Sequence, residues 1–222
     1  ALPISSEPAV LARPALGRSD AMQHAYRAAL ANAGLTADRL GAADLYSCFP
    51  IAVWVAMDAL GMTLDDPRPI TLTGGLPFFG GPGNNYSTHG IVELMHWLRR
   101  QNQPSYGIVG ANGGYLSKHA VGVYGNVGAA FPEPVPEPPV VSAVALVEQP
   151  EGPGVIESYT CQAQGDKTRA IVVGRQLSDN RRWVAVADPH DSELLAWFRD
   201  GDPLGAQVEV TPGDRNEVKK SA

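Results

Sequence analysis

The chain has 222 residues, which is enough for one large domain, or for a domain of about 130 residues with a smaller one. Hydrophobic residues make up 44% of it, a fraction that supports a buried core and argues against disorder throughout. No apolar run reaches the roughly 18 residues that span a bilayer, and the first residues lack the basic-then-apolar order of a signal peptide. We therefore expect a soluble protein.

The charged residues are unevenly distributed. Residues 1–130 carry eight Lys and Arg against eight Asp and Glu, whereas residues 131–222 carry nine against fifteen and hold the whole net charge of -6. Neither part has the basic surface that phosphate-backbone binding requires, so we do not expect a nucleic-acid ligand. The two cysteines, Cys48 and Cys161, are poor evidence for a disulfide framework. A reducing, cytoplasmic location fits them better.

A proline-rich segment divides the chain. Residues 131–140 read FPEPVPEPPV, with five prolines in ten residues. Such a segment favours extended polyproline II and cannot hold a helix or a central strand. We therefore predict an α/β domain over 1–130, a semi-rigid linker over 131–139 and a small β domain over 140–222.

Residues 1–130 alternate between helical and strand patterns. Ser19 can cap a helix whose apolar residues recur at spacings of three and four, and Gly34 can end it. Pro50 begins a second helix, apolar on nearly all sides, which we expect to be buried and to end at Gly61. A third helix is predicted over 87–101, and strands are predicted over 43–47, 69–73, 106–110 and 119–124. This alternation predicts a layered α/β domain.

The remainder of the chain is rich in short β-type runs separated by Gly, Asp, Asn and Pro turns. The predicted strands cover 140–147, 155–162, 170–175, 183–187 and 207–210. Only residues 192–199 have a helical pattern. About five strands in roughly 80 residues predict a small barrel or sandwich, with an oligonucleotide/oligosaccharide-binding-type barrel as one candidate.

The segment over residues 74–90, GGLPFFGGPGNNYSTHG, holds six glycines, two prolines and two adjacent asparagines, and it leads directly into a helix. Glycine lets the backbone approach a ligand closely, and a helix start offers unpaired N–H groups to an anion or a developing oxyanion. Asparagine also tolerates turn conformations, so the two asparagines fit a purely conformational role as well. The predicted ligand-binding residues are Gly80, Gly81, Asn84, Asn85 and Ser87.

Two side chains near helix starts are candidates for catalysis. Cys48 stands at a strand end just before a helix, where the helix dipole lowers the pKa of a thiol and favours the nucleophilic thiolate. The alternative for Cys48 is a small buried residue that packs under the helix. His89 lies in the first turn of a helix, where it is suited to accept or donate one hydrogen bond. A capping or surface role is equally compatible with its position.

A third candidate is Asn112, in a glycine turn over 112–114 that is predicted to join two strands. Its amide could donate to a carbonyl, although a type I′ hairpin also favours Asn-Gly for conformational reasons alone. No pair of histidines has the spacing of zinc ligands, so no metal site is predicted. The glycine-rich segment lacks the Gly-Lys-Ser/Thr ending of a P-loop and the spacing of a dinucleotide-binding turn.

The order of these motifs resembles the C-terminal half of a thiolase. Tyr46-Ser47-Cys48-Phe49 stands where that family has Asn-Glu-Ala-Phe or His-Asp-Cys-Phe. Gly80-Gly81-Pro82 matches the family's Gly-His-Pro, and Ala111-Asn112-Gly113 matches its Cys-x-Gly. The whole chain is most similar to thiolase-like proteins, often named acetyl-CoA acetyltransferases, that carry an extra C-terminal β domain.

The resemblance also shows where the chain departs from the family. Thiolases use the histidine of Gly-His-Pro and the cysteine of Cys-x-Gly for proton transfer, and here those positions are Gly81 and Ala111. The family's nucleophile belongs to a Cys-x-Ser motif of the N-terminal half, and this sequence does not contain that half. The first strand of the second half is expected before Ala1, because residues 1–17 show no convincing strand pattern. The resemblance therefore implies a proteolytic or gene-split part that needs a partner carrying the N-terminal half.

Two functions follow as expectations. The first is an acyl-CoA acyltransferase in which Cys48, His89 and Asn112 act as substitute polar groups. The second is a non-catalytic module that binds CoA or acyl-CoA, or scaffolds a partner. In both cases CoA or acyl-CoA is a substrate or ligand, no covalently bound cofactor is expected, and an oligomer is possible.

Overall fold

The computed structural model describes residues 4–128, 142–164 and 167–221. Within these ranges the chain forms two compact units. Residues 4–9 and 17–128 belong to the first, and residues 10–16 belong to the second together with those from 142 onward. The predicted linker over 131–139 lies outside the described residues, so its extended conformation stays a prediction.

The first unit contains a four-stranded sheet. Its strands are β1 (Ile4–Ser6), β2 (Leu40–Asp44), β3 (Tyr106–Gly113) and β4 (Lys118–Gly125), in the spatial order β1-β4-β3-β2. Strands β2 and β3 are parallel, and β4 is antiparallel to both of its neighbours. The expectation that residues 1–17 supply no strand is wrong, because β1 pairs with β4 at the edge of the sheet.

Helices pack on both faces of this sheet. They are α1 (Asp20–Asn32) and α2 (Pro50–Leu60) on one face and α4 (Tyr86–Arg99) on the other, and a single helical turn, α3 (Leu76–Phe79), lies within the glycine-rich segment. Neighbouring residues of a strand point to opposite faces. In β3, Ile108 packs with buried residues of α1 and α2, whereas Val109 packs with Leu94 and Leu98 of α4. The predicted layered α/β arrangement is thereby confirmed.

The predicted helix ends are confirmed where a capping serine, a proline or a glycine lies at the end itself. The Ser19 hydroxyl accepts a hydrogen bond of 3.0 Å from the Met22 backbone N–H, which caps α1. Pro50 is the first residue of α2, and Gly61 ends that helix with φ of +67°, in the left-handed region that favours glycine. Local chemistry therefore sets these boundaries.

Three predictions differ from the structure in detail. Strand β2 begins at Leu40 and ends at Asp44, earlier than the predicted range 43–47. Residues 69–73 form no regular strand, although the backbone N–H of Leu45 donates to the Ile70 carbonyl at 2.9 Å. Helix α2 is not fully buried, since Ile51 is 47% and Trp54 is 51% exposed. An apolar pattern without a polar face therefore did not guarantee burial in this chain.

The second unit is a closed five-stranded barrel. Of the two predicted alternatives, a small barrel or a sandwich, the barrel is confirmed. Its strands follow the order β5-β6-β7-β9-β8, and β7 is parallel to β9. A helix, α5, connects β7 to β8. The ranges are β5 (Gly152–Gln164), β6 (Lys167–Gln176), β7 (Arg182–Ala187), α5 (Ser192–Asp200), β8 (Gln207–Thr211) and β9 (Glu217–Lys220).

The barrel differs from the prediction at both of its ends. Residues 142–147 of the predicted strand over 140–147 form only an isolated bridge from Leu146 to Arg182. Strand β9 was not predicted, since its sequence EVKK is short and highly charged. Inside the barrel, Trp183 is 1% exposed and lies against Gly174, where an added Cβ would come 2.3 Å from the indole ring. The absence of a side chain at Gly174 makes room for the largest core residue.

In the described ranges, no helix has the length and apolar character needed to cross a membrane.

Candidate functional site

Two loops and the end of strand β3 lie at the carboxyl edge of the parallel strands in the first unit. The loop after β2 carries Cys48, the end of β3 carries Asn112, and the glycine-rich loop leads into α4. Parallel strands end at the same edge, which is where α/β proteins commonly bind ligands. The sequence predicted the site residues in these three segments.

A chain of hydrogen bonds ties two of these loops together, and it starts at Asp44, the last residue of β2. One carboxylate oxygen, Oδ2, accepts from both the backbone N–H and the hydroxyl of Thr73, each at 2.9 Å. The Thr73 hydroxyl lies 2.6 Å from the Tyr86 hydroxyl, at the first residue of α4. These contacts hold the start of the glycine-rich loop and the start of α4 against the sheet.

A second connection links the glycine-rich loop to the loop that carries Cys48. The Ser47 hydroxyl accepts a hydrogen bond of 3.0 Å from the backbone N–H of Leu76, the first residue of α3. The ring of Tyr46 packs edge-on against the ring of Tyr86, with centroids 5.4 Å apart. The residues flanking Cys48 are thus held in place by the loop that was predicted to bind a ligand.

Asp44 is the most strongly buried charged group at this edge, with 1% of its surface exposed. Burial raises the pKa of its carboxyl group, although the hydrogen bonds from Thr73 oppose that shift. Its second oxygen, Oδ1, is buried and has no hydrogen-bond partner among the described residues. Because β2 is otherwise apolar (LGAAD), a terminal aspartate was the signal that could have marked this residue.

Tyr26 of α1 lies behind the same edge. A Cβ at Gly110 of β3 would come 2.0 Å from the Tyr26 hydroxyl oxygen, so only glycine leaves room for it. Burial raises the pKa of Tyr26, and the negative charge of Asp44 raises it further. The tyrosine therefore remains a neutral phenol at any physiological pH.

The predicted binding residues of the glycine-rich loop lie at the surface. Gly80, Gly81, Asn84 and Asn85 are all exposed, and Gly80 has a φ of +91°. Helix α4 begins at Tyr86, one residue before the predicted start, and Asn85 precedes it without a side-chain capping bond. The start of α4 therefore keeps backbone N–H groups without a capping side chain.

Ser87 and His89 follow in the first turn of α4. The Ser87 hydroxyl lies 3.5 Å from the Gly110 carbonyl, a long contact that links α4 to β3. The His89 ring packs against Phe79 with centroids 4.9 Å apart, and its Nδ1 is buried without a hydrogen-bond partner in the described part of the chain. The His89 ring is therefore placed against Phe79 of the glycine-rich loop.

Cys48 is half-buried and forms no disulfide. Burial raises the pKa of the thiol, and the backbone N–H groups of Phe49 and Cys48 oppose the shift only in part. This direction is opposite to the lowering expected from the start of α2. The thiol form is therefore favoured over the nucleophilic thiolate at neutral pH.

Asn112 lies within β3, because the strand extends to Gly113, and the predicted turn begins later than 112. Its side-chain oxygen is 3.0 Å from Nδ1 of His119 on β4. Nε2 of His119, in turn, is 3.2 Å from the Ser19 hydroxyl that caps α1. The side chain of Asn112 thus contributes to packing within the unit through the buried His119.

The structure does not join the three candidate catalytic side chains to one another. No hydrogen bond or ring contact connects Cys48, His89 and Asn112 in the described residues. In the same ranges, no cluster of three or more His, Cys, Asp or Glu side chains could hold a metal ion. What this edge does offer is an exposed glycine-rich backbone beside a helix start and a half-buried thiol.

Comparison with known proteins agrees with the fold. Residues 131–215 match the family described as the thiolase-like protein type 1 additional C-terminal domain. The chain is similar to the crystal structure of a monomeric SCP2-thiolase-like protein type 1 from Mycobacterium smegmatis, with 39% sequence identity and a TM-score of 0.88.

The likeness covers 99% of this chain and 50% of that structure, so the chain spans about half the length of its relative. A search of curated proteins found no match. The closed barrel that follows the layered α/β unit corresponds to the additional domain of the family description. The chain is thus a thiolase-superfamily-like protein with an additional C-terminal domain.

Proposed function

We propose that this chain forms part of a CoA or acyl-CoA binding site in a longer thiolase-like protein, and that it does not supply the proton-transfer groups of a thiolase. The observation that carries the proposal is the identity of two positions at the site edge. Gly81 and Ala111 stand where the resemblance implies a histidine and a cysteine. Neither glycine nor alanine has a side chain that can accept or donate a proton.

The polar groups that remain at this edge support the same proposal. Asp44, Thr73 and Tyr86 are bonded to one another and fix the loops, as does the contact from Ser47 to Leu76. Groups engaged in this way are suited to hold a binding surface in one conformation. Their arrangement favours a ligand-binding role over acid–base catalysis.

The glycine-rich loop is the proposed contact for the ligand. Gly80, Gly81 and Asn84 are exposed, and the loop precedes the 14-residue helix α4. Backbone N–H groups at a helix start bind phosphate or carbonyl oxygens, and both occur in an acyl-CoA thioester. The other part of the site would come from the N-terminal half of the longer protein or from a partner chain that carries it.

A second candidate function is acyl transfer through Cys48. It is favoured by the position of the half-buried, disulfide-free thiol, which lies beside Ser47 and close to the glycine-rich loop. In that mechanism the thiolate would attack the thioester carbonyl and release CoA. The burial that raises the pKa of the thiol makes this function the weaker candidate.

Calorimetric titration with CoA and acetyl-CoA tests the binding proposal. We expect binding to the native chain and at least a tenfold loss in Gly81→Asp, because the added carboxylate repels the phosphates of the ligand. Gly128→Asp is the matched control, since an added Cβ meets no atom within 4 Å at Gly128. Equal affinity for all three proteins would exclude the glycine-rich loop as the contact.

A mass-spectrometric assay for CoA release and for a covalent acyl adduct separates the two functions. Turnover or an adduct that is lost in Cys48→Ala and kept in Cys161→Ala would establish acyl transfer and overturn the binding-only proposal. The control is matched because both thiols are half-buried and burial raises the pKa of each. Binding without release or adduct would support the non-catalytic function.

A further inference from the structure

The segment Val10–Leu16 belongs to the barrel unit, although it lies near the beginning of the chain. Its contacts with the barrel run through main-chain carbonyl groups. Arg182 Nη1 donates to the carbonyl oxygens of Leu11 and Arg13, each at 2.6 Å, and Arg175 Nη2 donates to that of Pro14 at 3.3 Å. The Ala12 carbonyl accepts from the backbone N–H of Val144 at 2.8 Å. Four successive carbonyls of the segment are thus engaged.

The partner groups of the barrel form a charged cluster. Arg182 is fully buried, with 0% of its surface exposed, and its Nε donates to Glu157 at 2.6 Å. Arg175 shares the same carboxylate at 2.7 Å. One carboxylate therefore faces two guanidinium groups, which leaves an excess positive charge in the cluster. The carbonyl dipoles of the segment supply the remaining acceptors, which a buried guanidinium requires.

The segment is distant in sequence from the residues that bind it. Leu11 and Arg13 are 171 and 169 residues away from Arg182. Binding of so distant a segment resembles binding of a separate peptide. The intervening chain raises the effective concentration of the segment near Arg182. A cavity of about 260 Å³, lined in part by Leu11, Leu146 and Trp183, remains beside the segment. The groove thus has room for side chains larger than leucine.

We propose that the barrel carries a peptide-docking groove centred on Arg182, which recognises the main-chain carbonyls of a short turn-forming segment. In this chain the groove is occupied by Val10–Leu16, which begins with a single 3-10 turn over Val10–Ala12. Because the recognised atoms are carbonyl oxygens, the groove accepts a segment of this kind from a separate molecule as well as from its own chain. Its ligand class is a short, weakly charged peptide that forms such a turn and presents successive carbonyl groups to the two arginines. The groove lies in the barrel unit and does not depend on the function proposed for the first unit.

The first test uses the whole chain with residues 10–14 replaced by Gly and Ser, and a synthetic peptide of residues 9–17 as the probe. We expect the replacement to raise amide hydrogen exchange at Val144 and along β7 at least tenfold. Added peptide should restore the protection and bind with a measurable affinity, whereas the native chain, whose groove is filled, should bind at least tenfold more weakly. Absence of peptide binding to the replaced chain would overturn the proposal.

A second variant tests the groove if the replaced chain does not fold. Arg182→Met keeps a long apolar side chain at the buried position, and such replacements of buried charges often preserve the fold. We expect the Val144 amide, whose acceptor is Ala12, to exchange at least tenfold faster while β5 and β6 stay protected. Arg181→Met is the control, because Arg181 is exposed and pairs with Asp179. Unchanged exchange at Val144 in Arg182→Met would show that Arg182 does not hold the segment.

Discussion

Asp44 and Thr73 are joined by two hydrogen bonds of 2.9 Å, which converge on a single carboxylate oxygen. Asp44 ends strand β2, and Thr73 begins the turn into the glycine-rich loop. The pair therefore fixes the loop with the proposed ligand contacts to the edge of the sheet.

Thr73→Val removes the hydroxyl and keeps the shape of the side chain. The Tyr86 hydroxyl and the Asp44 carboxylate would each lose a buried partner. We expect the free energy of unfolding to fall by about 1–3 kcal/mol, the range for leaving buried polar groups unsatisfied. Urea unfolding followed by circular dichroism measures the change. Thr63→Val, at an exposed position, should have little effect, and equal stability of the two variants would contradict the assigned role of Thr73.

Gly90→Ala introduces a Cβ that would lie 2.7 Å from Oδ1 of Asp44. Alanine favours a helix over glycine by about 1 kcal/mol, whereas overpacking costs about 1–3 kcal/mol. Because Asp44 is held by Thr73 and cannot easily move, we expect net destabilisation, measured as a lower midpoint of thermal unfolding. In Gly17→Ala, where the added Cβ meets no atom within 4 Å, the midpoint should not fall. A more stable Gly90→Ala protein would show that Asp44 moves away at little cost.

The Cys48 thiol should react slowly with iodoacetamide at neutral pH. Burial raises its pKa, so the thiolate fraction should reach its midpoint above the ordinary value of about 8.5. The rate of alkylation as a function of pH, measured on Cys161→Ala so that Cys48 is the remaining cysteine, gives that midpoint. A midpoint below 8 would instead support the thiolate expected from the helix dipole and would strengthen the acyl-transfer function.

The barrel should lose stability in acid, because the ionised carboxylate of Glu157 stabilises it at neutral pH. Burial raises the pKa of its carboxyl group, but the hydrogen bonds from Arg182 and Arg175 outweigh burial and hold the pKa below its ordinary value. The folded state therefore binds the proton less readily than the unfolded state. The stabilisation is present above the unfolded pKa of about 4.3 and is lost as pH falls through the lower pKa of the folded state.

Glu157→Gln tests this linkage. The difference in unfolding free energy between the native chain and Glu157→Gln should shrink as the pH is lowered from 6 to 3, as measured by urea unfolding. The indole NMR signal of buried Trp183 reports on the barrel. Glu209→Gln, at an exposed position of β8, should differ from the native chain by a constant amount. A constant difference for Glu157→Gln as well would rule out the linkage.

The helix ends of the first unit could be predicted because their signals are local. Ser19 and Pro50 act within one turn of the helices that they begin. The short strands β1 and β9 could not be predicted, because sequences such as EVKK contain no alternation of apolar residues. Pairing with β4, and with β7 and β8, determines those strands.

The location of the candidate site could also be predicted, since the glycine-rich loop and the motif around Cys48 are recognisable in the sequence. The contacts within the site could not. Asp44 and Thr73 are 29 residues apart, and Asn112 and His119 approach each other only because β3 and β4 pair in one register. Burial, which reverses the expected pKa shift of Cys48, is also a property of the packed unit.

By itself, the sequence determined the layered α/β unit, the helix ends and the barrel as one of two alternatives. It also contained the thiolase-like motifs, with Gly81 and Ala111 in place of proton-transfer residues. Apolar periodicity, capping and turn residues are local properties, and they are readable in one dimension. Only the tertiary structure decided that Asp44 anchors the glycine-rich loop and that Val10–Leu16 docks against the barrel through Arg182. Hydrogen bonds between residues distant in sequence depend on how the chain packs, and no local pattern encodes them.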